Sequence, residues 1–352
     1  MIVLGADLHK CSHTIAAVTA VTGELLGDRA IAVGDRGFLA VLDWARGLGE
    51  SRVLVLEDCR HVSGSFERFL LVSGERVVRV PTRLMADARR GSRDRGKSDL
   101  IDALAVARAA LREGRDGLPV AQLAGVELEI RLLVDHRERL IRSRVALNND
   151  LLWHLHDLWP ELRLPGGALF SKTWSTRIGR RLARAQQTAR VRIARDELRR
   201  LRELTAAATE LEAEIAELVA QAAPQLLVEP GFGPLTAAKL LGEIAGASRF
   251  ANDAKLARAA GVAPIPVSSG RTNRHRLDRG GNRQLNTTLH RIALTRARCH
   301  PETKAYLERK RTEGKTYREA LRCLKRHLAR RVWHLLQPPH PDQETTPPLL
   351  IP

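Results

Sequence analysis

Four carboxylates stand where apolar segments begin or end. Asp7 interrupts the run "IVLGADLH", Glu57 closes "RVLVLE", and Asp99 and Asp102 lie three residues apart in "RGKSDLIDALAVARAAL" (95–111). Read as a helix, the last segment puts Asp99, Asp102, Ala103, Val106 and Ala110 on one face. Small residues on that face would let the helix lie close to a sheet and hold both acids against it. Acids in a first helical turn also suit the helix dipole, with Ser98 or Asp99 as a cap. Acids brought together would repel one another unless a divalent cation neutralised them. Hard oxygen ligands suit Mg2+, or Mn2+. Two such ions about 4 Å apart stabilise both oxygens of a phosphoryl transfer. Asp58 and Asp94 are close in sequence but outside this pattern.

Three further groups bear on phosphate chemistry. Arg89, Arg90, Arg93, Arg95 and Lys97 precede the acidic helix, as a phosphate track or a solvated loop. In "PVSSGRTNRHR", Ser268 and Ser269 stand in an extended segment ahead of Arg271, Arg274, Arg276, Arg279 and Arg283. A serine beside phosphate-binding arginines has the means to attack a phosphodiester, although Ser-Ser-Gly is also ordinary loop sequence. "PGFGPLTAAKLL" carries Gly231 and Gly233 and looks like the hairpin of a helix-hairpin-helix element, or a plain tight turn. Backbone N–H groups at such a turn bind phosphate without reading sequence. His9, His61 and His275 have no ligand spacing and read as surface or packing residues, and Trp153 and Trp159 read as packing.

The elements that must position these groups follow from periodicity. "IVLGADLH", "SHTIAAVTAV" and "LGDRAIAV" read as three strands in a meander. A helix ("RGFLAVLDWARGL"), a strand ("RVLVLE"), a helix ("SGSFERFLLVSG"), a strand ("ERVVRVP") and the acidic helix follow. This is the order of a ribonuclease H-like mixed sheet with helices on its faces. In that sheet strands one and four are central neighbours, so Asp7 and Glu57 converge with Asp99 and Asp102. Separation of the four acids by more than about 10 Å would defeat a shared metal site of this kind.

From about 125 to 222 helix formers dominate. Leu201, Leu204, Ala208, Leu211, Ile215 and Leu218 form a heptad seam. Ile130, Leu133, Leu140, Leu147 and Leu151 keep a similar rhythm, interrupted by Arg137 and Arg144. "WPELRLPGG" (159–167) separates the two stretches, which predicts two long helices folded back as a hairpin or paired with another chain. A third part begins near 223, with a short helix capped by Asn252 and Gly261, an extended basic segment, and a helix pair ending near 336. The Pro-rich end is expected to be disordered. The expected parts are therefore 1–124, 125–222, 223–338 and a tail, 339–352.

The bulk numbers agree with a polyanionic partner. Against 40 acidic residues there are 58 basic ones, a formal charge of +18. No apolar run approaches the roughly 20 residues of a membrane span, and the first ten residues do not read as a signal peptide. Cys11, Cys59, Cys299 and Cys323 are scattered, which fits a reducing cytoplasm and excludes a Cys-x-x-Cys zinc site. Aromatic residues are 4% of the chain, too few for base stacking to be the main binding mode.

The combination resembles the DEDD transposases of insertion sequences, the family of element one-ten that includes the Piv invertases. The matching stretches are "GADLHK", "VLE", "RGKSDLIDALAVA", "PGFGPLTAAKLLGEI", "RFANDAKLARAAGVAP", "SSGR", "RGGNRQLNTTL" and "GKTYREALRCLKRHL". Two departures are "DCRHVSGSF" after Glu57, where a Thr-Gly-x-Tyr-like stretch is usual, and Asn286, where an arginine is common. The resemblance implies a RuvC-like domain whose four acids bind Mg2+, a coiled-coil arm, and a C-terminal transposase domain with a catalytic serine. Ser269, directly before the glycine of the motif, matches that serine. It also implies double-stranded DNA (element ends and target) as partner, a structured guide RNA in some members, and a homo-oligomer, dimer or tetramer, whose sites combine domains of different chains. The setting implied is the bacterial cytoplasm, at the nucleoid. A metal-only junction-resolvase-type nuclease would need the acids without Ser269, and a non-catalytic nucleic-acid-binding protein would need neither.

Overall fold

The computed structural model describes residues 1–57, 60–80, 84–85, 98–114, 118, 120, 125–269, 272–276, 278 and 280–337, with the side chains at 60, 61, 268, 269 and 272–274 left out. The chain divides into two compact units. One comprises Met1–Leu128, Glu229–Gly231 and Glu243–Pro352; the other comprises Glu129–Val228 and Phe232–Gly242.

The first unit opens with strands β1 (Ile2–Leu8), β2 (Ser12–Thr19) and β3 (Leu25–Ala32), then helix α1 (Asp35–Leu48), β4 (Arg52–Glu57), α2 (Arg60–Val72), β5 (Val77–Val80) and α3 (Asp99–Glu113). The sheet order is β3-β2-β1-β4-β5. β2 runs antiparallel to β1 and β3, whereas β1, β4 and β5 are parallel. This mixed sheet has the strand order and directions expected from the sequence for a ribonuclease H-like domain.

Central strands buried on both faces read as continuous apolar runs, and β1 and β4 do. Period-two alternation divides their side chains. Ile2, Leu4, Ala6, Leu54 and Leu56 pack with Phe38, Val41, Phe66 and Leu70 of α1 and α2. Val3, Val53 and Val55 face the opposite way, against Ala103, Val106, Ala107 and Ala110 of α3. Gly5 explains how closely α3 lies. A Cβ there would fall 2.3 Å from the Ala103 carbonyl oxygen and 2.4 Å from the Ala107 nitrogen. Buried Arg79 of β5 is held by Glu67 of α2 at 2.6 Å, so its charge is paired where water is excluded.

The second unit contains two long helices, α4 (Val126–Leu158) and α6 (Ala189–Ala222). Ion pairs Arg137–Glu212, His154–Glu197 and Arg190–Asp157 show that they run antiparallel. Of the expected seam in α6, Leu201, Ala208 and Ile215 are buried. Of the arginines that interrupt the α4 rhythm, Arg137 meets Glu212 of α6, and Arg144 covers the ring of Phe170, in the connection between the two helices, at 4.5 Å.

One helix in this unit was not expected. α5 (Lys172–Arg184) lies in the connection, started by Ser171, whose side chain accepts from the Trp174 N–H. It buries Ile178 and Leu182 against Leu151, Leu155, Val191 and Leu198. Trp159 packs at this core and Arg181 covers its ring at 4.2 Å, in line with a packing role. Trp153 departs from that expectation, being 73% exposed. Leu151 and Leu155 define the buried face of α4, and a residue two from each points away.

A short helix, α7 (Pro224–Leu227), and α8 (Pro234–Ile244) follow. The rest of the first unit holds α9 (Asp253–Ala259), the hairpin β6 (Ile265–Ser269) and β7 (Thr272–Arg276), and helices α10 (Arg283–Cys299), α11 (Pro301–Thr312) and α12 (Tyr317–Leu335). Asn252 caps α9 by accepting from the Lys255 N–H at 3.0 Å. Gly261, with φ 65°, follows that helix, as its sequence position predicts. The two helices expected at the C-terminal end are α11 and α12. No helix among the described residues is long and apolar enough to cross a membrane.

Candidate metal and nucleic-acid site

The sheet alternation that buries the valines of β1 and β4 also aims their last acids. Ala6 pairs with Leu56 in parallel register, so Asp7 and Glu57 are the next pair, at the strand ends. Period-two alternation puts both on the face covered by α3. Adjacent strands lie about 4.8 Å apart, which sets the backbone separation of these two acids. α3 begins on the same face. Its cap is Ser98, whose Oγ accepts from the Ile101 N–H at 3.2 Å. The capping alternative for Asp99 therefore falls away, and its carboxylate is left for other work.

Asp7 and Asp102 are buried, with 6% and 7% exposure, Glu57 is half-buried, and Asp99 is exposed. Burial pushes the Asp7 carboxyl above its ordinary pKa range. The charges of Asp102 and Asp99 push the same way, and His9 opposes them. An acid under that pressure, among oxygen ligands, is the group a divalent cation relieves, so the donor set fits a hard divalent metal.

His9 is exposed, in line with the surface reading of its sequence position, and it also stands beside the acids. Its Nε2 lies 3.1 Å from Asp7 Oδ2 and 3.6 Å from Asp99 Oδ1. Asp7, His9 and Asp99 each offer a ligand atom, all within 4.8 Å of one another. The signal was in "DLH": two residues beyond Asp7, just past the end of β1, the chain turns and brings the ring back beside the acids.

The other expected residues are placed unevenly. Arg89, Arg90, Arg93, Arg95, Lys97, Arg271 and Arg279 lie outside the described residues, as do Asp58 and Asp94. Ser268 and Ser269 end β6, with Ser269 opposite Thr272, and Arg274 pairs with Val267. Arg276 and Arg283 are exposed. Gly231, with φ 82°, is shaped by packing: a Cβ would lie 3.0 Å from Arg296 Cγ. Gly233 has open space on that side, and its carbonyl accepts from Thr236 Oγ1 at 2.8 Å at the start of α8. Asn286 is committed inside the fold, donating to the carbonyls of Ala260 and Gly261 at 3.1 and 2.9 Å.

Two family profiles match this chain. That of a DEDD transposase of the IS110 type matches residues 4–160, and that of the transposase IS116/IS110/IS902 family matches residues 223–308. The 44.8 kDa protein of insertion element IS116 from Streptomyces clavuligerus is 28% identical over 383 aligned positions, covering 95% of this chain and 94% of that protein. The 42 kDa protein of IS900 from Mycobacterium paratuberculosis is also 28% identical, covering 95% of each. The IS110 43.6 kDa protein of Streptomyces coelicolor is 40% identical over 105 residues, 29% of this chain and 26% of that protein. Among solved structures, T. thermophilus RuvC in complex with a Holliday junction substrate is 16% identical with a TM-score of 0.28, covering 34% of this chain and 99% of that one.

Proposed function

Because the chain belongs to the IS116/IS110/IS902 family of transposases, we propose that it cuts and rejoins DNA with carboxylate-held Mg2+ and a serine nucleophile. The observation that carries the metal half is the gathering of Asp7 and His9, at the end of β1, with Asp99 at the start of α3, the helix that also carries Asp102. Asp7, Glu57, Asp99 and Asp102 are the proposed ligands. When bound there, a divalent cation supplies Lewis-acid stabilisation of the charge that develops on phosphate oxygens. Asp7 and Asp102 would hold the cation from a buried floor, and through it the scissile phosphate would be oriented, while His9 fixes the Asp7 carboxylate by hydrogen bonding.

In the serine half, Ser269 Oγ attacks phosphorus and a bridging DNA oxygen leaves as a hydroxyl. A hydroxyl of a second strand then displaces the serine, so no phosphate-ester bond is lost overall. Ser268, one residue away, is the competing assignment. The basic residues of the hairpin, with Gly231 and Gly233 before α8, supply phosphate contacts. The working parts are a RuvC-like domain (1–124), a coiled-coil arm (125–222) and a transposase domain (223–338) containing a helix-hairpin-helix-like turn. The chain acts as a dimer or tetramer and is guided by an element-encoded RNA. A charge of +18 with few aromatics favours backbone contacts over base reading, which suits a protein that leaves sequence recognition to a guide.

The test is a covalent-adduct experiment. The protein is expressed with its complete element and flanks, denatured, and examined for protein-linked DNA by mass spectrometry. An adduct at Ser269, absent in Ser269→Ala and Asp102→Ala, is the expected result. Metal-dependent cutting that persists in Ser269→Ala would instead establish a resolvase-like nuclease.

A further inference from the structure

Away from the acids, a cavity of about 780 Å³ opens between the end of the β6–β7 hairpin and the turn joining α11 to α12. Its size falls in the range of about 300–1,000 Å³ usual for ligand sites. His275, Arg276, Lys315, Arg322 and Lys325 line it. Lys325 is its unusual member: it is only 6% exposed. Its ammonium donates to the neutral Asn286 Oδ1 at 2.9 Å, and no carboxylate among the described residues pairs with it. The Asn286 amide nitrogen is already spent on two backbone carbonyls. A buried ammonium with one neutral acceptor has donors left over and an uncompensated charge.

The acids on the cavity wall are occupied. Glu313 is held by Lys310 at 3.0 Å, and Glu319 closes the α12 capping box with Thr316. Arg276 has no carboxylate partner among the described residues and is exposed. Burial, with Arg322 nearby, pulls the Lys325 amine below its ordinary pKa. Burial, with Lys325 nearby, does the same to His290. Around the cavity, basic side chains (Arg276, Lys315, Arg322, Lys325 and Arg326) outnumber the two glutamates, both already engaged.

We propose that this cavity is a phosphodiester subsite that grips the DNA strand on one side of the Ser269 hairpin, with Lys325 as its buried anchor. The register supports a strand as occupant. Ser269 and Thr272 pair at one end of the hairpin, and Ile265 and Arg276 at the other. Four strand residues span about 13 Å, roughly the rise of four nucleotides at 3.4 Å each. A strand whose scissile phosphate lay at Ser269 would thus have a flanking phosphate within reach of the cavity. This inference rests on the transposase reading above, but its test separates the two.

Full-length protein in EDTA, where metal-dependent chemistry is off, is titrated with a short DNA duplex at several NaCl concentrations. Lys325→Met should weaken binding about 3- to 10-fold and flatten the log–log salt slope by about 0.9, the share of one phosphate. In parallel, inorganic phosphate should raise the melting temperature of the wild type but not of Lys325→Met. Arg322→Gln, at a more exposed position, should give a smaller loss in both assays and carries the test if Lys325→Met does not fold. An unchanged salt slope together with an unchanged phosphate response in a folded variant overturns the subsite. An effect seen with an RNA duplex and not with DNA overturns the assignment to DNA. A wild type that binds no DNA overturns the transposase reading, and the phosphate response then decides the cavity by itself.

Discussion

At the residue scale, burial and neighbouring acids press on the Asp7 carboxylate. Its folded-state pKa is raised, so the folded chain holds this proton more tightly than the unfolded chain does. The sign follows: without metal, stability falls as pH rises from the ordinary carboxylate range through the raised value. Asp7→Asn removes the ionisable group while keeping its shape and should raise the metal-free melting temperature at neutral pH by a few degrees. The wild type should gain stability from millimolar Mg2+ or Mn2+, and the variant should not. Thermal melts with EDTA and with each ion check both points; a metal response that survives in Asp7→Asn removes Asp7 from the ligand set. Asp7 and Glu57 were legible as carboxylates at the ends of apolar strands, and Asp99 and Asp102 as a pair on one face of an apolar helix. His9 was not, because its place depends on a turn after β1, and a lone histidine carries no periodicity.

At the element scale, the acids meet because α3 rests on the backbone of β1. Gly5 has no side chain to hold it off, and Ala103 and Ala107 supply the matching small face. Gly5→Ala should cost about 1–3 kcal/mol, since the clash is with helix backbone and no flexible side chain can yield. It should also weaken Mn2+ binding by moving Asp99 and Asp102 away from Asp7. Urea melts and Mn2+ titration give the two numbers, and a stable variant with intact metal affinity would refute the close-packing account. The strand order was readable from the succession of a three-strand meander and alternating helices and strands, and the face of the strand acids from period-two alternation. It did not reveal α5, whose polar sequence hides Ile178 and Leu182 among arginines. Nor did the broken heptad of α4 announce where Arg137 and Arg144 go, since their partners, Glu212 of α6 and Phe170 of the connection, are 75 and 26 residues away (212 − 137 and 170 − 144).

At the scale of the molecule, two fields oppose each other. A charge of +18 favours DNA approaching the chain, while in the proposed mechanism Asp7, Glu57, Asp99 and Asp102 would repel the phosphate entering the site. On that proposal the conflict would be resolved when cations occupy the acids, and productive binding would be conditional on metal. In EDTA, Asp7→Asn combined with Asp102→Asn should therefore bind DNA a few-fold more tightly than the wild type. Adding a divalent cation should erase the difference, because it neutralises the wild-type site and finds fewer ligands in the variant. Anisotropy titrations at fixed ionic strength distinguish this effect from ordinary screening, which would act equally on both proteins. A double variant that binds DNA more weakly than the wild type in EDTA would mean the acids support the DNA-binding surface instead of guarding a phosphate site.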